Sequence, residues 1–591
     1  MQLKVEHPTI EDVFKDFYEV PAFQREYVWK AEQVEALLSD AYEALFDENG
    51  SPTQSEYFIG SIVSYKENDI FQLIDGQQRI TTLFIALCAI RDKRKELADK
   101  ESLNLLESMI FSQHQAIDGT AKDTLRLKPL YEDAGDILHQ IAHPSIHHKQ
   151  AEKLPVSAKN MLTAYETTLD FIEEKFGDNV VNLRIFQANF TKRVRLVRIQ
   201  TGSISEALRI FETINDRGIG LNALDLLKNL LFMKTNAIDF ERLTAIWKEM
   251  VHTIEKTKKG EKPLRFLRYF VLSMYPGARK NAKPLTEDDL YDWLSTNQSN
   301  IGISTNPIEF AKILLAAAQT YKTHVDNPLQ PLSHIYQLSP RARQHLIVML
   351  AAEKLSLEEK TEVAIQLERL FVGFVLAKEP TKVLDLIFAN FSPKLREFEE
   401  NHPHGKERLD NLNKLMDEWI NNELNKLSLR IGGALDQLSL SRKVTTRFVL
   451  CRVSQHLDSI CGNNVLLSHY WGRHIEHVLP NQPTDEQRQA FDQPDLFNMY
   501  KQKIGNLTLL EAPINTSIGR DYFESKKEAY LKSGIFMTRS ITQSQAQGNS
   551  SYTKAAALLP IYKKWDSSTI NSRQQDIKQI ATAIWKFNLN N

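Results

Sequence analysis

Between Ala31 and Phe46 the apolar residues Val34, Leu37, Leu38 and Leu45 recur at helical spacing, which predicts an amphipathic helix. Asn49-Gly50-Ser51-Pro52 ends it. Beyond that break, Tyr57 to Val63 and Phe71 to Ile74 are short runs of β-branched and aromatic residues around a polar turn at Lys66 to Asp69, the pattern of a hairpin. Asp75-Gly76-Gln77-Gln78-Arg79 follows at once, and Ile80, Leu83, Phe84 and Leu87 then mark one face of a helix to about Arg91. From about Asp92 to Gly177 the pattern turns helical and polar, reading as an insertion. A strand pattern returns at Arg193 to Ile199, with helices expected around Ser205 to Ile214 and from Asp225 to Phe232. From about 236 to 430 amphipathic helices dominate, such as Ala342 to Ala352 and Glu358 to Phe374, and Lys443 to Leu457 leads into a C-terminal module.

A chain of 591 residues exceeds one hydrophobic core. The pattern predicts three parts: an α/β or α+β module over 1–235 with its insertion at about 92–177, a helical linker or scaffold over 236–430, and a module over 431–591. A composition of 42% hydrophobic and 25% charged residues is that of a folded protein. Its three cysteines, Cys88, Cys451 and Cys461, form no Cys-x-x-Cys pair, so a disulfide framework and a zinc knuckle lack support. No signal-peptide pattern opens the chain and no long apolar run crosses a membrane, so a cytoplasmic location is expected.

The net charge of −2 gives no overall pull toward nucleic acid, so any such contact needs a local patch. Nine basic residues stand against two acidic ones between Glu255 and Lys283, interleaved with Phe266, Tyr269, Phe270 and Tyr275. Lys258, Lys259, Arg265 and Arg268 are the DNA-binding candidates there; the alternative is a solvated loop leading into a helix whose aromatics are core.

Two constellations carry chemistry. Asp75-Gly76 at a strand end opens a helix whose first amides are unpaired by geometry, and Gly76 lets an anion approach the backbone. Gln77, Gln78 and Arg79 lie in its first turn, where Arg79 could fork onto a phosphate, and Arg25 stands upstream among aromatic residues. Alone, such a turn is an ordinary helix cap. No Gly-x-x-x-x-Gly-Lys loop occurs. Near the other end, His474-Ile475-Glu476-His477-Val478-Leu479-Pro480 precedes Gly505-Asn506-Leu507-Thr508-Leu509-Leu510, Asn515, Lys526 and Lys527. Metal-assisted phosphodiester hydrolysis needs a base and a cation on the phosphate. His477 is the candidate base, Glu476 and Asn515 are candidate oxygen ligands for Mg2+ or Mn2+, and Asn506 a brace for the loop that carries the histidine. Lys526 or Lys527 could meet the DNA backbone. His474 ranks second, since three residues along a strand reverse the face. The histidines at 139, 143, 147, 148, 402 and 404 lack partners at ligand spacing.

Asp-Gly-Gln-Gln-Arg, the preceding Phe-Gln-Arg-x-Tyr-x-Trp segment, and Phe211 to Gly218 with Leu221, Asp225, Leu226 and Lys228 together resemble the N-terminal domain of the GmrSD family of modification-dependent (type IV) restriction enzymes. The Glu-His-Val-Leu-Pro, Gly-Asn-Leu-Thr-Leu-Leu and Asn515 segments are similar to the HNH domain of the same family, although Asn481 replaces a common Gln and the segment from Asn515 to Gly519 matches loosely. The resemblance implies a multidomain α+β protein, predominantly α, with a ParB/sulfiredoxin-like head, a helical middle and a ββα-metal (HNH) tail. It implies binding and hydrolysis of a nucleoside triphosphate (GTP, UTP or ATP) at Asp75 to Arg79 with Arg25 in support. It further implies metal-dependent cleavage of double-stranded, modified phage DNA. A non-cleaving ParB-like regulator with a degenerate tail, and a nicking nuclease independent of the nucleotide, remain open. One HNH site makes one nick, so a homodimer is one route to a double-strand break.

Overall fold

The computed structural model describes residues 3–21, 24–67, 69–115, 121–131, 134–143, 154–203, 206–208, 210–211, 223–276, 278–280, 283–402, 407–519, 521–542 and 550–589. The chain divides into two compact units, Met1–Glu249 with Leu290–Lys312, and Met250–Asp289 with Ile313–Asn591.

The first unit is built on a mixed sheet of β1 (Leu3–Glu6), β2 (Phe17–Val20), β3 (Tyr57–Glu67), β4 (Ile70–Asp75), β5 (Leu127–Pro129) and β6 (Val194–Thr201), in the order β1-β6-β3-β4-β2-β5. The expected hairpin is β3 and β4, antiparallel with a bulge between Val63 and Ser64. The strand expected near Arg193 is β6, which runs parallel to β3. A helix over Ala31–Leu45 answers the first periodic pattern, burying Val34, Leu37, Leu38 and Leu45.

The insertion reading needs correction. From inside that stretch β5 joins the sheet beside β2, and the helix Val156–Phe176 sends Ala158, Met161, Ala164 and Ile172 into the same core as Leu73 and Phe84. For this reason the helix Gln77–Glu96, read as one-faced, is buried at every position from Ile80 to Arg91. A polar outer face on the Val156 helix, with Lys159 and Glu166 among its residues, makes the segment look peripheral in sequence although its apolar stripe closes the core.

The second unit is mainly helical, including Pro263–Met274, Leu357–Leu376, Lys443–Ile460 and Ser567–Ile584. Set among these helices is an antiparallel pair, β7 (His474–His477) and β8 (Leu507–Leu510), with Glu476 opposite Thr508 and His477 opposite Leu507. The protein is therefore multidomain α+β and mostly α. No helix among the described residues is long and apolar enough to cross a membrane.

Candidate active site

β8 is buried along its whole length, and Leu509 and Leu510 anchor it. After Glu511 the chain turns into the helix Ala512–Ile518, with a proline in its first turn where the missing N–H costs nothing. That helix packs on β7, giving a strand, strand, helix unit. Asn515 on the helix brings its Nδ2 to 3.3 Å from Nδ1 of the exposed His474. Among the described residues its Oδ1 is buried without a partner, and so is Nε2 of His477. Burial, helped by the positive charges of Lys526 and Lys501, pushes the His477 imidazole down to about 4, so the ring is neutral at physiological pH.

Glu476 is placed differently from its expected role. It is 7% exposed, and its Oε1 accepts from Lys526 Nζ at 2.7 Å and from the Tyr530 hydroxyl at 2.9 Å. Lys526, expected on DNA, is 1% exposed; its ammonium also donates to the carbonyls of His477 (2.8 Å) and Val478 (3.4 Å). Three donors thus meet three acceptors. A carboxylate and an ammonium inside a core must pair, because either alone would carry a large desolvation cost. Glu476 is accordingly a structural anchor for β7, and Lys526 clamps the chain where it leaves His477. Tyr530 escaped the sequence reading, yet its spacing of four from Lys526 on one helix face was a usable signal. Lys527 stays near the surface and pairs with Glu524. Among the described residues no three His, Cys, Asp or Glu side chains gather as a metal set.

Asn506 is fully buried and braces the segment after His477: Oδ1 accepts from Leu479 N at 2.7 Å and Trp565 Nε1 at 2.8 Å, while Nδ2 donates to the carbonyls of Leu479 and Lys501, both at 3.0 Å. The fully buried Arg573 donates to the carbonyls of Gly505 (2.8 Å) and Leu507 (2.7 Å) on either side.

In the first unit Gly76 has φ +82, and a Cβ there would stand 2.4 Å from Ile62 Cγ2, so the turn after β4 requires glycine. Among the described residues the N-cap Gly76 offers no side-chain cap to the helix that starts at Gln77, which leaves its first-turn amides for another acceptor. Burial raises the Asp75 carboxyl, opposed by the Gly76 N–H and by Arg79. Arg79 is partly committed, contrary to the free fork expected: Nη1 donates to Ser61 O at 2.8 Å, and the guanidinium lies against Gly60. Gln78 is a clamp, with Oε1 accepting from Val28 N (2.8 Å) and Trp29 N (3.3 Å) and Nε2 donating to Glu26 O (2.9 Å). It ties the segment bearing the exposed Arg25 to the first helical turn. Lys228 approaches Gln24 O at 3.4 Å, and burial brings its amine down to about 8. Residues 212–222, most of the third motif, lie outside the described residues, as do His147, His148 and His404.

The basic segment does not form the expected stacking surface. Phe266, Tyr269 and Phe270 are buried, and Arg268 is turned toward Leu285 O and Asp385. Lys258 bonds Asp326 O, Lys259 sits 3.9 Å over the Tyr336 ring, and Arg265 lies 3.6 Å from Glu261. The aromatics at helical spacing are core, and the cations pack around it.

Residues 10–232 match a family model described as the GmrSD restriction endonuclease, N-terminal domain, and residues 432–580 match one described as the GmrSD restriction endonucleases, C-terminal domain. Together these matches span more than half of the chain. No curated protein matches it.

Proposed function

Because the chain belongs to the GmrSD restriction endonuclease family, we propose that it is an HNH endonuclease that cuts modified foreign DNA with a divalent metal, under control of a nucleoside triphosphate held in its first unit. The observation that carries the reading is the pair of buried, unpartnered atoms at the strand-helix unit, His477 Nε2 and Asn515 Oδ1, beside the exposed His474. The amide oxygen of Asn515 fits Mg2+ or Mn2+, which keep several waters and need few protein ligands, and the His474 imidazole favours the softer of the two. His474 and Asn515 would hold the ion. When bound it supplies positive charge on the scissile phosphate and the departing oxygen. His477 is the base that takes a proton from the attacking water at Nε2, and the negative phosphate beside it raises its basicity. Lys526 and Asn506 hold the backbone on which His477 sits.

Nicking of DNA in Mg2+ or Mn2+ by the parent and by His477→Ala tests this. The variant is expected to lose at least about 100-fold in rate, the usual contribution of a general base, with its thermal unfolding unchanged. Equal rates in the two proteins, or no cutting of any DNA by the parent, would overturn the reading.

In the first unit the bare amides of the Gln77 turn are the phosphate seat, with Gly76 allowing close approach and Arg25 and the open edge of Arg79 nearby. Gln78→Ala is expected to release the Glu26 to Trp29 segment and weaken triphosphate binding about tenfold. Equilibrium binding of a labelled nucleotide measures this, and unchanged affinity would remove the clamp from the nucleotide site.

A further inference from the structure

Immediately beyond His477 the chain borders a cavity of about 190 Å3. Val478, Leu479 and Pro480 form one wall, and Phe491, Phe523 and Trp565 contribute aromatic faces. Phe523 and Trp565 are themselves packed together at 5.1 Å between ring centroids. Tyr522 borders the same cavity with 49% of its surface exposed. The space is below the ~300–1,000 Å3 of ordinary small-molecule pockets, and comparable with a single heteroaromatic ring.

Two further lysines stand near the cavity. Lys501, whose amine rests on Asn481 O at 2.9 Å, is near enough to His477 to lower its proton affinity. Lys564 lines the cavity with its side chain 78% exposed. Asp566, Glu524 and Asp492 are the acidic groups here; the first two pair with Lys564 and Lys527, and Asp492 accepts from Ser567 N.

We propose that this cavity receives one unstacked nucleobase of the substrate strand, next to the phosphate attacked at His477, with Tyr522 as its stacking wall. The inference rests on the endonuclease reading above and adds a substrate preference to it. An apolar aromatic wall offers every base a stacking face and reads no particular sequence. Pulling a base from the duplex costs least where it is mismatched, damaged or already unpaired. The enzyme therefore favours sites at which a base is loosened, and a modification that weakens pairing is one way to mark such a site.

The test uses full-length His477→Ala, which can bind without cutting, and two synthetic duplexes that differ only in one central mismatched pair. This protein is expected to bind the mismatched duplex about tenfold more tightly, the scale of one base stacked on an aromatic ring. Adding Tyr522→Ala, which removes the wall, or Ala490→Trp, which fills the cavity from an exposed lining position, is expected to bring that ratio to about one. Both changes lie at solvent-exposed positions, so folding is preserved. Equal binding of the two duplexes by His477→Ala, or a tenfold ratio that survives both added changes, overturns the proposal. The endonuclease reading is judged separately, by whether the parent cuts DNA at all.

Discussion

Lys526→Met is expected to destabilise the second unit by about 3–5 kcal/mol, the cost of leaving a buried charge without its partner, and to abolish DNA cleavage. The buried carboxylate of Glu476 would keep only the Tyr530 hydroxyl on Oε1, and the carbonyls of His477 and Val478 would lose their shared donor. The strand end that aims His477 would then loosen. Urea unfolding and a nicking assay on one preparation measure both effects. The double variant Lys526→Met with Glu476→Gln removes the stranded charge, so stability is expected to return by at least half while cleavage stays low, because the backbone clamp is still missing. A DNA-contact role for Lys526 would give the opposite: normal stability, with weaker DNA binding that depends steeply on salt. A metal-ligand role for Glu476 is tested by Tyr530→Phe, which touches only the anchor. If that conservative change leaves both stability and rate untouched while Glu476→Gln alone abolishes metal binding, the anchor assignment fails.

Gly505→Ala is expected to collapse the same module from another side. A Cβ at this position would stand 2.1 Å from Ile570 O and 3.0 Å from Gln574 N, both backbone atoms of the helix Ser567–Ile584. No rotamer change relieves a backbone clash, so the helix must move away, at a cost on the order of 3 kcal/mol or more. Asn506 and Arg573 would be pulled out of register with Leu479, Gly505 and Leu507. The expected result is a fall in Tm on the order of 5 °C or more, with cleavage lost. Gly433→Ala provides the control: nothing among the described residues lies within 4 Å of its added Cβ, and it sits within a helix, so the change is expected to be neutral or slightly stabilising.

Local patterns exposed local structure well. The hairpin of β3 and β4, the strand-glycine-helix turn at Gly76 and the helices at Ala31, Leu357 and Lys443 all lie where periodicity and turn residues placed them. Failures arose where a side chain's meaning depends on a partner far along the chain. Lys526 beside Lys527 resembles a surface pair, and only folding shows that one of them enters the core to meet Glu476 fifty residues earlier. Gln78 resembles a spare donor until the Glu26 to Trp29 backbone comes against it. The parity argument that separated His474 from His477 was sound for the strand itself. It missed that the helix crossing β7 would carry Asn515 to His474. The aromatics of Pro263–Met274 fitted a stacking surface and a core face equally well in the sequence, and only packing decided for the core.

The bonds from Trp565 and Arg573 to the Gly505-Asn506-Leu507 segment have a practical consequence for anyone dissecting this protein. A fragment trimmed just past Lys527 would contain every residue of the nuclease motif and still lack the parts that keep it in shape. Minimal versions of this nuclease must carry the chain through the Ser567–Ile584 helix, because Trp565 and Arg573 complete the support of the β7–β8 pair.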